Sequence, residues 1–279
     1  MRPRAALNLS SSDHASPLNP VEGQPFRNLW LPLAGRQPTA KIRLLCFSYA
    51  GGGASLYAGW AASLSGEIDV LPVQLPGREE RSNEVPFTSM APLVESLAEG
   101  VAYILDRPFA LFGHSMGALV GFELARLLRR QGFQAACLFV SACQAPHLLR
   151  QDQAMHLLPD ARLIEAVHQR FGGVPREVLE DGNLAELFIP TLRADFALVE
   201  TYRYADDVPL GCPIIAFGGT EDSQVAPADL SAWRKHTSRS FSMRMFPGGH
   251  FYLKRSGREV IRAVSRQLAH IRADIHDQR

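Results

Sequence analysis

Three residues of this chain have the types and surroundings that nucleophilic chemistry needs. Ser115 sits in Gly113-His114-Ser115-Met116-Gly117, directly after the apolar run Ala110-Leu111-Phe112. Behind it Leu119, Phe122, Glu123, Leu124, Ala125, Leu127 and Leu128 recur at helical spacing, and Gly132 stops that helix a few residues after Arg129 and Arg130. A buried strand turning sharply into a helix would present the serine hydroxyl at the tip of the turn. The glycines two before and two after it make room where a Cβ would collide. Near neutral pH a hydroxyl is a poor nucleophile, so it needs a base, and the base needs a carboxylate to orient it. His250, in Pro247-Gly248-Gly249-His250-Phe251, and Asp222, in Gly219-Thr220-Glu221-Asp222-Ser223, each follow an apolar strand-like run. Together the three would carry acyl transfer through a covalent serine intermediate.

A G-x-S-x-G pentapeptide is short enough to arise from composition alone, so its surroundings decide. The chain order Ser115, Asp222, His250 is that of the α/β-hydrolases and differs from the orders found in chymotrypsin and subtilisin. Glu221 is the rival to Asp222, although the shorter acid suits the tight Gly-x-x-Asp turn. His114 and His147 are the nearer rivals to His250. His114 lies inside the turn beside the nucleophile, where packing or hydrogen bonding is the expected role. His236, His270 and His276 are expected at the surface, His14 in an N-terminal leader, and His156 and His168 in a helical insertion.

The elements that must position these residues follow from the apolar pattern. Strands are predicted over residues 42–48, 69–73, 109–114, 136–141, 213–218 and 242–246, and helices over 55–65 and 90–105 and behind Ser115. Strands alternating with helices imply a doubly wound, mostly parallel sheet whose ligands sit at the carboxyl ends of the strands. All the candidate residues fall at such ends. After the first strand comes Tyr49-Ala50-Gly51-Gly52-Gly53, either a flexible turn or a loop whose bare N–H groups face a developing negative charge.

Between residues 140 and 213 the alternation is interrupted. Asp160 is the expected N-cap of a helix over 161–171 that stops at Gly172-Gly173, and a second helix is predicted over 183–204, interrupted or kinked at Pro190. Its apolar face would include Leu184, Leu187, Phe188, Leu192, Phe196, Val199 and Tyr202. Placed over the strand ends, this insertion, about 142–208, would serve either as a lid lining an acyl pocket or as an extra packing layer.

At 279 residues the chain can bury one large core. Residues 1–25 are poor in large apolar groups and are expected to form a flexible leader, with a single domain over 26–279. The net charge is +1, and of 29 basic residues only Lys41, Lys235 and Lys254 are lysines. Arginines scattered over a near-neutral chain argue against a nucleic-acid surface. Each is expected to be solvated, with Arg78 and Arg81 possible docking residues for an acidic partner. Cys46, Cys137, Cys143 and Cys212 lie in or beside apolar runs without C-x-x-C spacing and read as reduced buried thiols. No stretch is long and apolar enough to span a membrane, and no signal-peptide pattern is present, so a cytoplasmic location without membrane attachment is expected.

Five motifs in order, Phe47-Ser48-Tyr49-Ala50-Gly51-Gly52, Leu75-Pro76-Gly77-Arg78, Gly113-His114-Ser115-Met116-Gly117-Ala118, Leu192-Arg193-Ala194-Asp195-Phe196 and Gly248-Gly249-His250-Phe251, resemble the type II thioesterases of nonribosomal peptide and polyketide synthases. The resemblance covers about residues 26–270 and departs at the leader and at Ser48, where proline is often found. It implies an α/β-hydrolase fold with a helical lid, a Ser115–His250–Asp222 triad, and an oxyanion hole formed by the backbone N–H groups of Ala50 and Met116. It implies no cofactor or metal, the substrate being an acyl group on the phosphopantetheine arm of an acyl or peptidyl carrier protein. The role would be editing of stalled or misprimed synthases by a monomer. A soluble carboxylesterase or lipase, and a non-catalytic module binding carrier proteins, are the other readings.

Overall fold

Alternate residues of the central strands are apolar in both registers, which is the pattern of a sheet covered on both faces. In the computed structural model, β1 (Ile42–Phe47), β2 (Ile68–Pro72), β3 (Phe109–His114), β4 (Cys137–Ser141), β5 (Ile214–Gly219) and β6 (Phe241–Phe246) form one parallel sheet in the order β2-β1-β3-β4-β5-β6. The structure describes residues 28–32, 37–64, 66–149, 154–174 and 181–277, so the leader expected over 1–25 lies outside the described residues. Leu45, Leu111, Leu138 and Ala216 pack on one face, with α2 (Met90–Val101) and α3 (Met116–Arg130). Leu44, Phe112, Phe139 and Phe217 pack on the other, with α1 (Trp60–Ser63) and the C-terminal helix Leu253–Asp277. The strand-to-helix alternation and parallel sheet are those predicted, and the architecture is an α/β-hydrolase fold.

Parallel register brings the strand ends level. Phe47 pairs with Gly113 across β1 and β3, and His114 with Ser141 across β3 and β4. The loops leaving β1, β3, β4 and β5 therefore emerge along one edge.

Several local expectations are corrected. The helix predicted over 55–65 is a 3-10 turn, Ala54–Tyr57, followed by the four-residue α1, because Gly59 gives the backbone no reason to continue. Helix α2 ends at Val101 and continues only as a 3-10 turn to Ile104. Between β4 and β5 run α4 (Asp160–Phe171) and α5 (Gly182–Glu200). Asp160 is not the N-cap of α4; that position is Pro159, and the Asp160 carboxylate accepts from Arg193 at 2.6 Å. Gly172, in the left-handed conformation with φ 64°, ends α4 as predicted.

Helix α5 runs unbroken through Pro190, which costs it one internal bond without ending it, and is capped by Asp181, whose carboxylate accepts from the Asn183 N–H. Leu184 and Leu187 are exposed, so the apolar face of α5 is narrower than its sequence suggests; Leu192 is buried as expected, and Ile189 and Leu198 are buried with it. Leu163, Val167, Ile189 and Leu192 join Met155 and Val174 in a small core of their own between α4 and α5.

Three polar positions expected at the surface are buried. His236 packs against Phe122, Trp233 and Tyr204 and bonds to His147. Arg81 donates to Glu84 and to the Gln74 carbonyl, and Arg78 forms a bidentate pair with Asp195. Both guanidiniums are consumed by internal partners, which removes them as docking residues. The four cysteines are buried and free, as expected, and burial pushes the Cys143 thiol up to about 12.

Candidate active site

Ser115 follows β3 directly and precedes the first turn of α3. Its backbone stands at φ 55° and ψ −119°, outside the regions an L-residue prefers, at a cost of about 1–3 kcal/mol that the surrounding structure must hold. The flanking glycines are what allow the turn. A Cβ on Gly113 would stand 2.1 Å from the Gly117 carbonyl oxygen, and a Cβ on Gly117 would stand 2.3 Å from that of Phe47. The Ser115 N–H donates to the Ser141 carbonyl at 2.7 Å, tying the turn to the end of β4.

His250, on the loop after β6, brings Nε2 to 2.9 Å from Ser115 Oγ, and its Nδ1 lies 2.9 Å from Asp222 Oδ2. A carboxylate only accepts, so Nδ1 carries the proton and donates. Nε2 is left to accept from the serine hydroxyl. The Asp222 side chain is fully enclosed, and its second oxygen accepts from the Gln224 N–H at 2.8 Å. The rival Glu221 is well exposed and faces Arg255. The structure thus brings Ser115, His250 and Asp222 into one hydrogen-bonded chain and leaves Glu221 and His147 out of it.

A family model described as the thioesterase domain matches residues 42–268, spanning every strand and both partners of Ser115. The chain belongs to the thioesterase family. It is 44% identical over 242 residues to the gramicidin S biosynthesis protein GrsT of Aneurinibacillus migulanus, covering 86% of this chain and 94% of that one. The solved structure of BorB, a type II thioesterase from the borrelidin biosynthetic cluster, superimposes with a TM-score of 0.78 at 36% identity, covering 86% of this chain and 97% of that one. The linear gramicidin dehydrogenase LgrE of Brevibacillus parabrevis is 42% identical over 243 residues, covering 86% of this chain and 92% of that one.

In an open doubly wound sheet a dinucleotide needs the space beyond the strand ends and a glycine turn that lets its pyrophosphate approach. Here the glycine turn after β1 is covered by α5. Phe188 and Leu192 lie 2.7 and 3.2 Å from where a Cβ on Gly51 would stand. Among the described residues no group of three or more His, Cys, Asp or Glu side chains is arranged to hold a metal ion.

Ser115 and His250 open into a cavity of about 260 Å³ whose other walls include Leu119, Phe171, Phe196 and Val199. The last three belong to α4 and α5, so the insertion supplies the apolar end. Ala50 and Met116 line the same cavity. His114 is buried beside His250, the two ring centroids 5.7 Å apart. Its Nε2 lies 3.0 Å from the His250 carbonyl, which only accepts, so Nε2 carries the proton and Nδ1 accepts from Ser141 Oγ at 2.7 Å. Ser141 in turn accepts from the Tyr252 hydroxyl. Burial, and then the adjacent His250, hold His114 well below the usual histidine range, so it is neutral as this chain requires.

Sequence reasoning placed His114 as a packing or hydrogen-bonding residue, and the structure agrees. It missed Ser141 and Tyr252, because a strand-end serine and a tyrosine two residues past His250 carry no spacing signal of their own. It also missed the pairing of Arg78 with Asp195, although both lie inside motifs that stand out in the sequence.

Proposed function

We propose that this thioesterase hydrolyses acyl thioesters borne on the phosphopantetheine arm of acyl or peptidyl carrier proteins, clearing stalled or misprimed groups from a nonribosomal peptide or polyketide synthase. The observation that carries this reading is the Ser115–His250–Asp222 chain opening into a small, largely apolar cavity. Ser115 Oγ attacks the thioester carbonyl carbon while His250 Nε2 takes its proton. The resulting oxyanion lies against the N–H groups of Ala50 and Met116. Asp222 holds the imidazole in the right tautomer and stabilises its charge. The C–S bond then breaks and the thiol leaves with the proton from His250. Water, deprotonated by His250, attacks the acyl-serine; the acid departs and Ser115 recovers its proton. No step calls on a cofactor or metal.

The carrier-bound substrate is supported by relatives named for gramicidin S biosynthesis and for a borrelidin cluster. A cavity of about 260 Å³ is small for a ligand site and favours short acyl groups such as acetyl. The α4–α5 insertion over the site acts as a lid that lines the acyl pocket and shields it from bulk solvent, while His250 remains open to the cavity through which the water of deacylation enters. We take the enzyme to act as a cytoplasmic monomer; no described helix is long and apolar enough to cross a membrane.

The test compares wild type with Ser115→Ala on acetyl-phosphopantetheinyl carrier protein, following release of the free thiol. Loss of at least about 10³-fold in kcat is expected for the variant. Hydrolysis undiminished by the substitution overturns the nucleophile, and turnover of simple esters with none of the carrier thioester overturns the editing role.

A further inference from the structure

Three separate elements meet at one buried carboxylate outside the catalytic chain. Asp195 projects from α5 with its side chain 2% exposed. Arg78, after β2, clamps it from below: Nη1 donates to Oδ2 at 2.7 Å and Nη2 to Oδ1 at 2.8 Å. Asp195 Oδ2 also accepts from the Gly51 N–H, on the loop after β1, at 2.7 Å.

The third bond is the informative one. A buried ion pair is a poor device for stability, since apolar side chains of similar volume usually hold a fold as well. An apolar pair could not hold a peptide in a chosen orientation. The Gly51 N–H belongs to the peptide unit that joins Ala50 to Gly51, so fixing it fixes the backbone immediately after Ala50. Gly51 is at φ 77°, a conformation that only a glycine takes cheaply, and without the bond it would have several alternatives. The loop is held from other sides as well. Arg78 Nη1 donates to the Gly52 carbonyl at 3.1 Å, and Ser48 Oγ donates to the same oxygen at 2.7 Å. Thr191 of α5 donates to the Gly77 carbonyl, next to Arg78.

We propose that Asp195 and Arg78 are positioning residues that hold the Ala50 N–H at the oxyanion, so that the insertion helix α5, besides covering the acyl group, sets the geometry of the oxyanion hole. This rests on the reading of Ala50 as an oxyanion donor. Oxyanion donors act only if aimed at the charge that develops in the transition state, and displacement by about an ångström is enough to lose much of the effect. The pair therefore bears on kcat and leaves the binding of unreacted thioester alone.

The experiment measures Asp195→Ala, Asp195→Asn and Arg78→Lys on acetyl-carrier protein. Two ligands accompany it: an acyl-pantetheine trifluoromethyl ketone, whose adduct with Ser115 carries an oxyanion, and the matching thioether, which does not react. For Asp195→Ala we expect kcat to fall about 10- to 100-fold, with KM and thioether affinity within about threefold of wild type. Ketone affinity should fall in step with kcat. Asp195→Asn, which keeps an acceptor for the Gly51 N–H, should recover part of both. A purely structural role would lower the melting temperature without coupling ketone affinity to kcat.

Wild-type kcat in a folded Asp195→Ala, or a loss of kcat with ketone affinity intact, overturns the proposal. If Ser115→Ala is inactive in the same series, that failure leaves the serine mechanism standing; an active Ser115→Ala sinks the mechanism itself. Should the Asp195 variants not fold, amide exchange in the wild type decides. Strong protection of the Gly51 N–H is expected, and exchange at the unprotected rate overturns the proposal.

Discussion

The Nε2–H of His114 donates to the main-chain carbonyl of His250 at 3.0 Å, so the residue beside the proposed nucleophile holds the backbone of its proposed base. The bond is the last of a directed series, from the Tyr252 hydroxyl to Ser141 Oγ, from Ser141 to His114 Nδ1, and from His114 to His250. Its direction is forced at one end by a carbonyl that can only accept.

Breaking this series should cost both stability and rate. His114→Leu leaves the His250 carbonyl and the Ser141 hydroxyl without their buried partners, and about 2–4 kcal/mol of destabilisation is expected. With the His250 backbone released, kcat should fall as well. Tyr252→Phe removes only the first member and should cost about 1 kcal/mol with kcat little changed. Urea denaturation and steady-state kinetics on the same preparations check both; equal losses in the two variants would contradict the direction assigned to the series.

Stability should decline as the solution is acidified below the ordinary histidine pKa. His236 is pushed down to about 4, chiefly by burial and then by His147, and His114 is lowered by burial and then by His250. Their folded pKa values lie below the unfolded value of about 6.5, so the unfolded chain binds more protons in between. The stabilisation is complete above about pH 6.5 and is lost as pH falls toward the folded values. For His236 the loss between pH 6.5 and 4 is on the order of 2–3 kcal/mol. Urea midpoints at pH 7, 6 and 5 should fall progressively, and His236→Gln should flatten the trend.

Gly117→Ala should fail to reach a stable native state even though alanine favours helices. Its Cβ would meet the Phe47 carbonyl carbon and oxygen at 2.6 and 2.3 Å, backbone atoms that cannot rotate aside. Overpacking of this kind costs about 3 kcal/mol or more. Thermal unfolding monitored by circular dichroism gives the answer, and a wild-type melting temperature would refute the close approach of α3 to β1.

Acyl preference should follow the aromatic end of the cavity. Phe171 and Phe196 have ring centroids 6.0 Å apart and both line the space opening from Ser115. Phe196→Ala should raise kcat/KM for octanoyl-carrier relative to acetyl-carrier, by about 10-fold for the added room. An unchanged ratio would place the acyl group elsewhere.

Much of the fold is legible in the chain because the signals are local. Each central strand is five or six residues long and built around an apolar stretch of four or more, and parallel packing with helices on both faces follows from the alternation of such strands with helices. Ser115, Asp222 and His250 could be singled out for the same reason, each lying just beyond such a run. The helix boundaries over 55–65 and at Asp160, and the exposure of Leu184, Leu187 and His236, were misread. There the outcome depended on which neighbour a face would meet, and periodicity carries no record of neighbours.

The order of elements, the strand ends, the tight turn at Ser115 and the residue types available there are all legible from the chain, because each depends on contacts within a few positions. Which carboxylate reaches His250, which way the proton lies in each imidazole, and where Arg78 and Asp195 end up depend on the folded arrangement. Asp195 is 117 positions from Arg78 and 144 from Gly51. Bonds over such separations exist only after the sheet has brought its strand ends level and α5 has closed over them, and buried charge tolerates no other arrangement once water has left.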